Sequence, residues 1–99
     1  MARRVYLAAR DLVFRSKLGA AVAARGGEVV LDDAGCEFAV LDAEAPDALT
    51  RIRGFVTRGI PVLAYGPHVR AELLRAAREA GAVAVPNSQA ETALRELLG

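Results

Sequence analysis

Four short runs of nearly uninterrupted apolar residues punctuate this chain: Val5-Tyr6-Leu7-Ala8-Ala9, Phe38-Ala39-Val40-Leu41, Ile60 to Tyr65 and Ala82 to Val85. A strand with one wet face alternates apolar and polar residues. A run without that alternation is covered on both faces. Val29-Val30-Leu31 reads as a weaker strand of the same kind. Between these runs lie longer stretches whose apolar residues recur at helical spacing. Strands that alternate with helices predict a parallel sheet with helices on both sides.

The helices have legible ends. Asp11 is placed to cap a first helix whose stripe is Phe14, Leu18, Ala21 and Val22, and Gly26-Gly27 is placed to close it. Pro46 suits the first turn of a second, with Leu49, Ile52 and Val56 facing inward and Gly59 at its end. Gly66-Pro67 opens a third, carrying Val69, Leu73, Ala76, Ala77 and Ala80 up to Gly81. Pro61 sits where one ladder hydrogen bond is not needed. Ser88 with Glu91 has the spacing of a capping box before a last helix lined by Ala90, Leu94, Leu97 and Leu98.

One connection is tight. Only Asp32 to Glu37 joins the second strand to the third. Such a link reaches about 20 Å when fully stretched, roughly the diagonal behind one intervening strand. The spacing therefore predicts an extended crossover with no helix in it. A second strand that is displaced or swapped is the alternative.

Composition narrows the function classes. The 99 residues make a single domain, 1–99, with 54% hydrophobic and 25% charged residues. No apolar run reaches the roughly 18 residues of a membrane span. Met1-Ala2-Arg3-Arg4 lacks the pattern of a cleaved leader, which predicts a cytoplasmic protein. Lys and Arg number 13 against 12 Asp and Glu, so no basic excess points to nucleic acid. One cysteine and one histidine exclude an internal disulfide and make a Cys/His metal site unexpected. Cys36 reads as a buried, inert thiol, and Asp32 and Asp33 as turn residues.

Phe38-Ala39-Val40-Leu41-Asp42-Ala43-Glu44-Ala45-Pro46, Pro61-Val62-Leu63 followed by Tyr65-Gly66, and the run Ala76 to Ala82 together resemble the receiver domain of bacterial response regulators. The likeness spans nearly the whole chain. It implies a flavodoxin-like, three-layer α/β/α sandwich with a five-stranded parallel sheet of order 2-1-3-4-5. The second helix of that fold is absent here or reduced to a short loop. Ala9 to Lys17 and Tyr65 to Val69 also look like segments of small stand-alone bacterial proteins of this type.

The resemblance places Asp42 on the phospho-accepting aspartate. It also implies an acidic pair after the first strand, a Thr or Ser after the fourth and a lysine after the fifth. This sequence has Ala9-Arg10-Asp11, Tyr65-Gly66 and Pro86-Asn87-Ser88 in those places. Mg²⁺ takes hard oxygen ligands, and phosphoryl transfer depends on cationic clamps. Arg10 opposes the metal. The chain thus reads as a receiver-like module that is not phosphorylated in the usual way, with no enzymatic activity and no cofactor.

The candidate binding face is Arg10, Asp11, Lys17, Tyr65, His68, Asn87 and Ser88. Each has a plainer reading: Asp42 as a polar residue satisfied by Arg10 or Lys17, Asp11 as a cap, Lys17 as a surface lysine, His68 as a first-turn residue, Tyr65 as a packed aromatic. Two other functions stay open: a conventional phospho-receiver using Asp42, and a small-anion or nucleotide site at the carboxyl ends of the strands, where Asp11, Asp42, His68 and Ser88 converge. The resemblance implies an unidentified protein partner, or a homodimer through the receiver face of fourth helix, fifth strand and fifth helix. Here that face is Val69 to Arg78 and Gln89 to Leu98, with Arg70, Arg75, Arg78, Glu79, Glu91 and Glu96 supplying both signs. No nucleic-acid or membrane partner is expected.

Overall fold

A computed structural model describes residues 3–99; Met1 and Ala2, the start of the segment read above for a leader pattern, lie outside the described residues. The elements are β1 (Arg4–Ala8), α1 (Leu12–Ala24), β2 (Glu28–Val30), β3 (Phe38–Asp42), α2 (Ala48–Thr57), β4 (Val62–Gly66), α3 (Ala71–Glu79), β5 (Val83–Pro86) and α4 (Ala90–Leu98). All strand pairs are parallel, in the order β2-β1-β3-β4-β5. This is the expected doubly wound, flavodoxin-like sheet, with no helix between β2 and β3. No helix among the described residues is long and apolar enough to cross a membrane.

Successive strand residues point to opposite faces, so each run feeds two cores. Val5, Leu7, Phe38, Val40 and Leu63 pack beneath α1 and α4, with Leu18, Val22 and Leu94. Ala39, Leu41, Val62 and Ala64 pack beneath α2 and α3, with Ile52, Phe55, Leu74 and Ala77. β1 departs from the sequence reading: Val5 and Leu7 are buried, but Tyr6 and Ala8, on the second face, are only half-buried.

Asp11 caps α1 as anticipated, its Oδ1 accepting the Phe14 N–H at 3.0 Å. At the other end, Gly26 N–H donates to the Ala23 carbonyl and Gly27 N–H to the Val22 carbonyl, with Gly26 at φ 75°. That is a Schellman closure. Gly27 also has no room for a side chain: a Cβ would lie 2.9 Å from Val22 Cγ1 and 3.1 Å from the Arg3 carbonyl.

The crossover from β2 to β3 corrects the expectation of a stretched link. β2 ends at Val30, one residue earlier than its apolar run suggested, and Leu31 beyond it is 82% exposed. Val30 is level with Tyr6 of β1, and Phe38 is level with Val5. The chain therefore retreats by about one residue and moves sideways by two strand spacings, about 10 Å in all. That slack admits a turn, in which Asp32 Oδ1 accepts the Ala34 N–H at 2.8 Å. A very short β2 is what makes the helix-free connection possible.

Other readings are corrected too. In α2 the inward residue is Phe55, while Val56 is 40% exposed. Pro67 to Arg70 forms a turn, closed by Arg70 N–H on the Pro67 carbonyl at 2.9 Å, so α3 starts only at Ala71. This turns Leu74 fully inward, with Leu73 partly buried beside it, and leaves Val69 73% exposed, before the helix. Leu97 of α4 lies at the rim of its core, 38% exposed. The Ser88–Glu91 capping box does not form. Asn87–Gln89 makes a 3-10 turn, and Gln89 precedes α4 without a side-chain cap. Glu91 pairs with Lys17 and Arg95 instead, and two charge-assisted partners outcompete one neutral N–H.

Candidate functional site at the carboxyl ends of the strands

Asp42 ends β3, between β1 and β4. Its carboxylate is only 16% exposed and needs partners. Oδ1 accepts the Glu44 N–H at 2.8 Å, in a turn that reverses the chain out of the strand. Oδ2 lies 3.7 Å from Arg10 Nη2. Arg10 stands in the bend after β1 and is itself 66% exposed, so this ion pair adds little stability. Its importance is the sign of charge that it sets beside the carboxylate.

Tyr65 is the register partner of Asp42 on β4. It is a packed core residue, 5% exposed, with its ring 4.7 Å from that of Phe14. Burial first, and then the negative charge of Asp42, push its phenol well above the ordinary 10.0, while Arg10 pulls the other way. The hydroxyl therefore stays neutral at physiological pH, and its position in the field of Asp42, Arg10 and Asp11 ties it to the same cluster.

Lys17 does not serve Asp42. Its ammonium pairs with Glu91 at 3.9 Å and links α1 to α4. Asp11 is committed to capping α1. His68 is exposed in the turn before α3, ahead of the helix rather than in its first turn. Asn87 and Ser88 are exposed in the 3-10 turn after β5. The structure brings together Arg10, Asp42 and Tyr65; Asp11, His68, Asn87 and Ser88 share the same end of the sheet without joining them.

The donor set does not fit a divalent metal. Asp42 faces a guanidinium, and Asp11 serves a helix end. Among the described residues no group of three or more His, Cys, Asp or Glu could hold a metal ion.

The sequence reading missed a cluster on the second face. Without a helix over β1 and β2, α2 supplies two arginines. Arg51 lies with its guanidinium 4.9 Å from the Tyr6 ring centroid, donates to the Tyr6 hydroxyl at 2.8 Å and reaches Asp33 at 3.4 Å. Arg58 Nη2 donates to the carbonyls of Asp33 and Ala34, both at 2.9 Å. Together they pin the crossover loop. Beneath it Cys36 is buried, donating to the Asp33 carbonyl at 3.3 Å, and burial raises its thiol pKa. Beside Arg51 opens a cleft of about 440 Å³ at the end of β1. The signal that would have found it is the missing helix itself.

No protein-family model matches the chain, and no curated protein matches its sequence. Solved structures do resemble it. A response regulator from Thermotoga maritima superposes with a TM-score of 0.78 at 17% identity, over 99% of this chain and 95% of that one. A response regulator receiver protein from Pseudoalteromonas atlantica gives 0.74 at 14% identity, over 94% and 91%. The class that the fold defines is therefore the receiver-like α/β sandwich. At these identities the likeness is one of fold.

Proposed function

We propose that this protein is a receiver-like regulatory module of the cytoplasm that works through non-covalent protein contacts and is not phosphorylated at Asp42 in the usual way. The observation that carries the reading is the Arg10 guanidinium 3.7 Å from Asp42 Oδ2. In phosphoryl transfer to a carboxylate, a metal and cationic clamps offset the charge that develops. A cation beside Asp42 opposes a second cation there, and a single exposed guanidinium does not supply the several oxygen-ligated contacts of Mg²⁺. Tyr65-Gly66 and Pro86-Asn87 offer neither a small hydroxyl nor an ammonium at the neighbouring strand ends. Incubation with acetyl phosphate and Mg²⁺, followed by intact mass, tests the reading. The mass stays unchanged; a phosphate-sized gain that disappears in Asp42→Ala would overturn it.

The face for partners is α3, β5 and α4, with a second copy of the chain as the first partner to test. A groove of about 510 Å³ lies there, lined by Val83, Val85, Thr92, Ala93 and Leu97 among others. β5 is an edge strand, and Arg78 blunts it by donating twice to the Ala84 carbonyl, at 2.8 and 3.2 Å. Strand addition is thereby disfavoured and side-chain packing favoured. Of the charges assigned to this face, Arg70 is engaged by Glu72 and Glu44, and Glu91 by Lys17 and Arg95. Arg75, Glu79 and Glu96 form no ion pair among the described residues and supply both signs for register.

A further inference from the structure

We propose that the cleft at the end of β1 binds a small organic anion with a flat ring, of the nucleoside monophosphate class. The cleft measures about 440 Å³, within the range of small-molecule sites. It lies where the strand order reverses between β1 and its two neighbours, the crevice in which open α/β sheets take ligands. Three arginines from three separate elements line it: Arg10 from the bend after β1, Arg15 from α1 and Arg51 from α2. One acid, Asp47, lines it as well.

The three cations differ in how they are held. Arg51 is fixed by Tyr6 and Asp33 and forms a rigid wall. Arg10 is held only by its 3.7 Å pair with Asp42. Arg15 has no ion pair or side-chain hydrogen bond among the described residues. Arg15 is thus free to close on a phosphate, and Arg10 reaches it by sharing or releasing Asp42; planar, bidentate recognition of phosphate suits arginine. Apart from Asp47, the remaining wall is mostly apolar. Leu31 stands 82% exposed at the lip, with Pro46 and Tyr6 beyond it. An exposed leucine beside an unspent arginine suits a ligand that is charged at one end and flat and apolar at the other. The proposal stands whether or not Asp42 accepts a phosphoryl group.

Titration of the ¹⁵N-labelled protein with AMP tests it, with inorganic phosphate as the parallel probe. The amides of Ala8 to Arg15, Leu31, Ala45 and Asp47 to Arg51 shift saturably with AMP and far less with phosphate. Arg15→Ala and Leu31→Ser, both at exposed or half-exposed positions, each weaken AMP binding by about tenfold while leaving the melting temperature unchanged. Absence of saturable shifts, equal affinity for inorganic phosphate, or full binding by the Arg15→Ala, Leu31→Ser double variant would overturn it.

Discussion

The Arg51 guanidinium covers the Tyr6 ring at 4.9 Å while its Nη2 donates to the Tyr6 hydroxyl at 2.8 Å. Arg51 of α2, with Phe55 beside it, thus covers the face of β1 that a helix covers in a complete sandwich of this type. Cation–π contact and a hydrogen bond from a charged donor, both only partly shielded from water, together contribute about 2 kcal/mol. Arg51→Ala lowers stability by that amount in urea unfolding. Arg51→Met, which keeps the stem but neither interaction, recovers less than half.

Arg58 acts on the backbone. Its Nη2 joins the carbonyls of Asp33 and Ala34 and so holds the crossover turn against α2. Arg58→Ala frees that loop locally, because the group is exposed and the core beneath it is unchanged. Amide exchange of Ala34 to Glu37 quickens by about tenfold or more, while exchange in β3 and β4 does not.

Capping gives a prediction of known size. Asp11 Oδ1 accepts the Phe14 N–H at 3.0 Å at the start of the longest helix. Asp11→Ala costs about 1 kcal/mol, and Asp11→Ser restores most of it. If Asp11 instead held a metal, the two variants would be equally stable in its absence.

Tyr65 and Cys36 both have folded-state pKa values raised chiefly by burial, above ordinary values of 10.0 and 9.0. A raised value means that the folded state binds the proton more tightly. The associated stability is fully present below the unfolded pKa values and is lost as pH rises toward the folded ones. Urea midpoints therefore fall between about pH 9 and pH 11. Tyr65→Phe and Cys36→Ser each remove part of that slope, the cysteine at the lower-pH end of the window. A midpoint that rises with pH across this window would contradict the assignment.

Much of the fold was legible because the strands are continuous apolar runs and the helices end at glycines with positive φ, Gly26 and Gly59 among them. What was not legible has local causes. Phe55 and Val56 are adjacent and both apolar, so helical spacing alone does not choose between them. The open face of β1 does, because the larger ring reaches Tyr6 at 6.0 Å between centroids. Leu73 and Leu74 pose the same ambiguity, resolved by where the Pro67 turn starts the helix. The Arg10–Asp42 pair could be read from residues at two strand ends. The cleft could not, since Arg15, Leu31 and Arg51 come from three segments and meet only through the gap that the absent helix leaves.

The most direct measurement is titration of the ¹⁵N-labelled protein with Mg²⁺ and beryllofluoride, a mimic of the phosphorylated carboxylate, followed at the amides of Asp42, Ala43 and Glu44. The account predicts no saturable change at these amides, in wild type or with Mg²⁺ alone. A stoichiometric complex in wild type, lost in Asp42→Asn, would contradict it and make Asp42 a working acceptor despite Arg10.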